Sequence, residues 1–412
     1  MPELYDRSFL AALPKSDLHC HLDGSLRLET LIELSRQFNV KLPSYTPDGL
    51  REEVFKEAYR DLPDYLHGFA YTCAVLRDEE ALERVSYELG KDCLAEGTRY
   101  LEVRFAPQLL AHDKLPIDRV LQSVDRGLDR ARREHEEEPA VAAGREPAFR
   151  YGIIACAMRM FSKGFGPYYA DLIRIMDRAP ATQIYGTASL TLARQVVDIR
   201  DRLGLPIVGF DLAGAEAGHP ASDHAQAYQY AHRHFLKKTV HAGEAYGPES
   251  IFQAITKLNA DRIGHGTRLF EHETVEDSDD PRRYVQRLAE YIADRRIVLE
   301  VCITSNMQTM PHLRRVEDHP FGRMVKERLS TTICTDNRLV SRTSSTEELY
   351  KAANAFRLTA SELRNVVLHG FKRSFFAGSY TEKRNYVRQV IDYYDQVAAK
   401  HGHATPGRGE GP

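Results

Sequence analysis

The sequence predicts an α/β protein, a (β/α)8 barrel of the TIM type with a helical insert after strand one and extra C-terminal helices. Three observations carry that prediction. Short apolar or alternating runs recur along the 412 residues with amphipathic helical stretches between most of them, the pattern of a parallel sheet covered by helices. There are eight such runs, the number that closes a barrel. Most of them run into turns bearing His, Asp, Glu or Asn, and barrel sites lie at that carboxyl end. An open doubly wound sheet is the competing architecture, but it requires a Gly-rich phosphate loop after strand one, and Leu22-Asp-Gly-Ser25 is not one.

The first strand lies within Pro14 to Ser25 and carries His19 and His21 two residues apart, on one side of the strand. Residues 26–97 show only helical patterns: Leu28, Leu31, Ile32 and Leu34 in one run, then Leu62 to Leu76 and Ala81 to Leu94. This insert either pads the outer layer or covers the site as a lid, with Phe69 and Tyr71 as apolar wall residues. Strand two is Thr98 to Phe105, ending at Pro107; strand three, Phe149 to Cys156, follows an exposed charged loop at 134–147. Strand four, Pro206 to Leu212, ends in Asp211-Leu-Ala-Gly214.

Strand five opens at Thr239-Val240 and delivers His241 and Glu244 into a Gly-containing turn. The next helix starts at Pro248, a residue suited to a first helical position, with Ile251, Phe252, Ile255 and Leu258 as its apolar face. Strand six, Arg262-Ile-Gly264, presents His265. Strand seven, Arg296 to Cys302, ends in Thr304-Ser-Asn306, and strand eight, Ser330 to Cys334, in Thr335-Asp336-Asn337. Other helices are expected over 117–133, 190–203, 221–235, 281–294 and 321–329. Beyond strand eight, capping boxes at Ser345/Glu348 and Thr359/Glu362 open two helices, and a last helix spans 381–400. One domain, 1–400, accounts for all of this, including the insert 26–97. The tail 401–412 has nothing to pack and is expected to be disordered.

Composition narrows the function classes. Apolar content of 42% and charged content of 28% are those of a soluble globular protein. A net charge of -3 gives no electrostatic reason for a nucleic-acid or anionic-membrane partner. The N-terminus lacks the basic start and apolar core of a signal peptide, and no apolar run approaches a membrane span. Cys20, Cys73, Cys93, Cys156, Cys302 and Cys334 form no CxxC pair and read as free thiols in a reducing cytoplasm.

Strand ends one, five and eight offer His19, His21, His241 and Asp336. Three neutral imidazoles and a carboxylate suit one Zn²⁺ or a similar divalent ion, with water in the open position and its pKa lowered towards neutrality. Glu244, three residues beyond His241, would stand beside that water as a proton donor to substrate, and His265 could orient the hydroxide or shuttle its proton.

These words, together with Asp17-Leu-His-Cys-His-Leu-Asp-Gly-Ser25, Ile263-Gly-His-Gly266 and Thr304-Ser-Asn306, make the chain resemble the adenosine deaminase family from Pro14 to about Phe376. The resemblance implies a zinc-dependent barrel enzyme that converts adenosine, and 2′-deoxyadenosine, to inosine and ammonia. It implies His19, His21, His241 and Asp336 as metal ligands, Glu244 as donor to purine N1 and His265 as the group that positions the hydroxide. Asp336 would also accept the water's proton. Asp23 is implied to hold the ribose hydroxyls, with His21 on the same substrate side, and the Gly214 N–H to meet N3.

The end of strand four has no lysine to carboxylate as a bridge, which favours one metal over two. There is no Pro-Cys-x-x-Cys of the other zinc deaminase type. One word departs from the family: Thr-Asp-Asp is usual where this chain has Thr335-Asp336-Asn337. An amide donates without being protonated, so Asn337 can still meet purine N7. Arg338 departs as well. Rival readings are a deaminase of a larger adenine nucleoside such as aminofutalosine, a deaminase of adenine, and a non-catalytic binding protein on the same fold. A small-molecule purine nucleoside is the expected partner.

Overall fold

A computed structural model describes residues 3–276 and 278–404. Eight parallel strands follow one another in sequence order: β1 Lys15–His21, β2 Thr98–Phe105, β3 Arg150–Met158, β4 Ile207–Ala213, β5 Lys237–Ala242, β6 Arg262–His265, β7 Val298–Val301 and β8 Thr331–Ile333. The ring is completed just past β8. There the His21 N–H donates to the Asp336 carbonyl and the Asp336 N–H to the His19 carbonyl, both at 2.7 Å. The expected (β/α)8 barrel with its helical insert and C-terminal helices is therefore the fold.

Both faces of the strands are buried, which is why their sequences differ in kind. On β2, Leu101, Val103 and Phe105 join the apolar core, while the alternate residues Glu102 and Arg104 are fully buried in an ionic network inside the barrel. Arg262 Nε lies 2.6 Å from Glu300 Oε1, and its Nη2 also pairs with Glu102. Arg104 reaches Glu300 Oε2 and Asp211 Oδ2, each at 2.8 Å. Phe375 closes this network from one side, with the Arg262 guanidinium 3.5 Å from its ring centroid. Desolvating this many charges is costly, and buried ion pairs are poor sources of net stability. What the network does is hold side chains in place near the site.

The insert forms helices Leu28–Gln37, Pro47–Glu53, Leu62–Leu66, Phe69–Val75 and Glu79–Ala95. Side-chain caps from Thr46, Asp61 and Asp78 start three of them. The expected run 62–76 is broken at His67-Gly68. Phe69 then faces the site, edge-on to His21 at 6.4 Å, whereas Tyr71 turns to His67.

Other elements depart from expectation in detail. Phe252 is 42% exposed, while Ile251, Ile255 and Leu258 form the buried face of helix Pro248–Thr256 and its C-terminal turn. Ser344, not Ser345, caps helix Ser345–Ala355, and Glu348 is drawn instead onto Thr304 and Thr343. The 134–147 segment is partly helical, and His135 accepts the Phe149 N–H through Nδ1 at the start of β3. At the C-terminus, the His401 and His403 rings pack on Phe9, 5.4 and 4.5 Å away, so these residues do find a partner; 405–412 lie outside the described residues. All six cysteines are free. Among the described residues no helix is long and apolar enough to cross a membrane.

Candidate active site

β1 and β5 aim three imidazoles at one point, and the bridge after β8 brings in a carboxylate. His241 Nε2 lies 3.0 Å from His19 Nε2 and 3.1 Å from His21 Nε2. Asp336 Oδ1 is 3.5 Å from both His19 Nε2 and His21 Nε2. Glu300 Oε2 holds His19 Nδ1 at 3.0 Å, and Asp211 Oδ2 stands 3.0 Å from His241 Nδ1. Carboxylates at Nδ1 favour the proton there, leaving the Nε2 lone pairs of His19 and His241 facing each other. Convergent lone pairs beside a carboxylate are relieved by a cation, so this donor set fits a divalent metal. Arg104 clamps both orienting carboxylates, and Arg159 Nη2 donates to the His241 carbonyl at 2.7 Å.

Burial alone would raise the Asp336 carboxyl, but contact with His19 and the surrounding imidazoles outweighs it and holds the group ionised, well below the usual range. Burial keeps His21 neutral. Asp336 and His265 both adopt left-handed backbone, at φ 62° and 66°. Such strain in non-glycine residues is retained where the surroundings fix it, commonly at functional sites.

His265 lies in the same group: one ligand atom each from His19, His241, His265 and Asp336 falls within 4.8 Å of the others. Its Nε2 is also 3.6 Å from Glu244 Oε1. Glu244 is buried, and burial pushes its carboxyl up to about 8, so it carries a proton at neutral pH. Its backbone is held by Glu216, whose carboxylate accepts the N–H groups of Gly243, Glu244, Ala245 and Tyr246. Gly243 is required in that turn: its φ is +70°, and a Cβ there would stand 2.6 Å from Ile251 Cδ1.

The remaining expected residues surround this centre. Asp23 is buried, pushed up to about 7 by burial, with Oδ1 lacking a hydrogen-bond partner and Cys73 Sγ 3.9 Å from Oδ2. Gly214 turns at φ +99°, and a Cβ would meet Met158 Cε at 3.2 Å. Asn337 pairs with Tyr65 of the insert, Nδ2 to the hydroxyl at 2.8 Å, and that hydroxyl is 2.7 Å from Ser341 Oγ. Arg338 is turned away into a largely buried ion pair with Glu96, the residue that ends helix Glu79–Ala95.

Sequence reasoning gave no role to Arg104, Glu216, Glu300, Arg159, His319 or Tyr65. A charged residue inside an otherwise apolar strand, as in Val298-Leu-Glu-Val301, is the one signal that marks Glu300.

Comparison with known proteins agrees with this geometry. Residues 14–393 match the adenosine deaminase family. The adenosine deaminase of Mycolicibacterium vanbaalenii is 35% identical over 380 residues, covering 92% of this chain and 94% of its own. Among solved structures, an amidohydrolase from Burkholderia ambifaria with bound Zn has a TM-score of 0.73 at 19% identity, over 96% of this chain and 94% of its own. An adenine deaminase from Arthrobacter aurescens has a TM-score of 0.70 at 22% identity, over 92% and 99%. The two structures bear on the fold alone. The family match runs through β1 to the last helix and takes in every strand end that contributes to the site. The chain belongs to the adenosine deaminase family, hydrolytic deaminases of the amidohydrolase fold.

Proposed function

We propose that this chain catalyses the zinc-dependent hydrolytic deamination of adenosine, and of 2′-deoxyadenosine, to inosine and ammonia. The observation that carries the reading is the convergence of His19, His21, His241 and Asp336 beside a buried, protonated Glu244. In this reading those first four residues are the ligands of a single ion. A zinc ion held there supplies a hydroxide nucleophile near neutral pH.

The chain's own groups do the rest. Attack at C6 breaks the aromaticity of the ring and builds charge on N1, and Glu244 removes that charge by donating its proton to N1. Asp336, ionised and at the same centre, takes the proton of the attacking water. Asp23, buried with an unpartnered oxygen, is matched to ribose hydroxyls, with His21 beside it. The Gly214 N–H meets N3, where the absence of a side chain lets the purine approach the backbone. Asn337, held by Tyr65, faces N7 through its amide. Free 6-aminopurines and larger adenine nucleosides share the chemistry and differ only on the ribose side.

The test is ammonia release from a panel of adenosine, 2′-deoxyadenosine, adenine and 5′-substituted adenine nucleosides. Adenosine and 2′-deoxyadenosine should be turned over fastest. Preference for a free base or a 5′-substituted compound by tenfold or more would move the substrate assignment, and no release from any member would overturn the deaminase reading.

A further inference from the structure

We propose that His319 and Asn306 are positioning residues that hold His265 with its ring proton on Nε2, making it a hydrogen-bond donor at the site and neither a metal ligand nor a base. The Phe321 backbone N–H donates to His319 Nδ1 at 3.1 Å. A backbone N–H only donates, so His319 Nδ1 is a bare acceptor, and a neutral imidazole with a bare Nδ1 carries its proton on Nε2. His319 is buried, and burial pushes its pKa down to about 3, so the ring stays neutral.

That Nε2–H lies 3.2 Å from Asn306 Oδ1, which accepts it. The contact fixes the Asn306 amide, because the flipped amide would set its N–H against the His319 N–H, donor against donor. Asn306 Nδ2 is then aimed at His265 Nδ1, 3.1 Å away, and donates to it. His265 Nδ1 is therefore bare and its proton sits on Nε2. A doubly protonated His265 is excluded by the same rule, since its Nδ1–H would face the Asn306 N–H. All three side chains are buried, so water does not offer a substitute partner.

The consequence is chemical. Distance alone places His265 among four potential ligands, yet the nitrogen it turns to the centre is an N–H with no lone pair to give. His21, whose Nε2 is 3.1 Å from His241 Nε2, takes that place. What His265 offers is a donor aimed between the metal ligands and Glu244, at the position of the attacking oxygen. The part of the inference that concerns that oxygen rests on the deaminase reading; the part that concerns the tautomer does not.

The experiment is long-range ¹H–¹⁵N correlation NMR of histidine-labelled, zinc-loaded protein, with His265→Asn used to assign the resonance. The expected result is a His265 ring protonated at Nε2 and bare at Nδ1. A proton on Nδ1, or a metal-bound Nε2, overturns the proposal without any variant having to fold. Asn306→Asp then replaces the donor by an acceptor for both rings. It should move the His265 proton to Nδ1 and lower kcat by about tenfold or more, with KM within twofold. An unchanged tautomer or unchanged kcat in that variant also overturns it. If the parent released no ammonia from any 6-aminopurine, the deaminase reading would fall while the tautomer measurement still decided the relay.

Discussion

Glu216 gathers more of the turn that carries Glu244 than any other side chain, and Glu216→Gln isolates what that does. Oε1 accepts the Gly243 N–H at 2.8 Å and the Ser250 hydroxyl. Oε2 accepts the N–H groups of Glu244, Ala245 and Tyr246 at 3.0, 2.6 and 3.0 Å. Glutamine keeps the shape but only one oxygen. Turned so that the oxygen serves the three amides, its NH₂ meets the Gly243 N–H, donor to donor. One hydrogen bond to a charged acceptor is lost, a loss of about 1.5–3 kcal/mol, most of it confined to this turn. Amide exchange over residues 243–246 should therefore speed up by about 10- to 150-fold, taking 1.4 kcal/mol per decade. Because Glu244 sits inside that turn, kcat should fall by about 10²-fold, the scale of an ångström of misplacement. Mass-spectrometric hydrogen exchange on the peptide spanning β5 and the turn, run beside kcat and metal content, reads all three. Exchange and kcat both at parental values would refute the idea that Glu216 holds the acid in place.

The other predictions concern the proton and the purine. Glu244→Gln should keep its metal and still bind a ground-state nucleoside, with turnover down by about 10²-fold or more; near-normal turnover would show that the acid is elsewhere. Burial holds the Glu244 carboxyl up at about 8, and it must be protonated to donate. The protonated fraction falls as pH rises through that value, so kcat should hold on the acid side and drop tenfold per pH unit on the alkaline side. A divalent cation nearby would bring that limb to lower pH, and a profile with no alkaline fall would contradict the assignment. Asn337→Ala should lower kcat/KM by about 2- to 12-fold, for a bond contributing about 0.5–1.5 kcal/mol, with metal content unchanged. Tyr65→Phe, which removes the partner of Asn337, should mimic it, and the double variant should be no worse than either single one. If the parent and Asn337→Ala discriminate equally against a 7-deaza substrate, Asn337 does not touch N7.

The barrel was legible because its signals are local: apolar runs, turns and helical periodicity fix each element without reference to its neighbours. His19 and His21 could be placed on one side of a strand by spacing alone, and the structure puts both Nε2 atoms within 3.1 Å of His241. What supports the site was hidden because it is assembled across the barrel. Glu300 orients His19 from 281 residues away, and Arg104 reaches Asp211 across 107. Inward charges on a strand imitate a solvated face, so Glu102 and Arg104 read as ordinary alternation although both are fully buried. The Tyr65–Asn337 contact depends on how the insert folds over the barrel mouth, and that packing leaves no pattern in sequence. Ser344 rather than Ser345 caps its helix while Glu348 is engaged by Thr304, a tertiary contact that the local motif does not reveal.

On the proposed reading, one divalent ion on His19, His21, His241 and Asp336 makes this barrel an adenosine deaminase. The most direct test of that reading is ammonia release from adenosine by chelator-stripped protein as zinc is titrated back. Activity should be absent without metal and rise linearly to a break at one equivalent per chain. Full activity in the stripped protein, or a break at two equivalents, would contradict it.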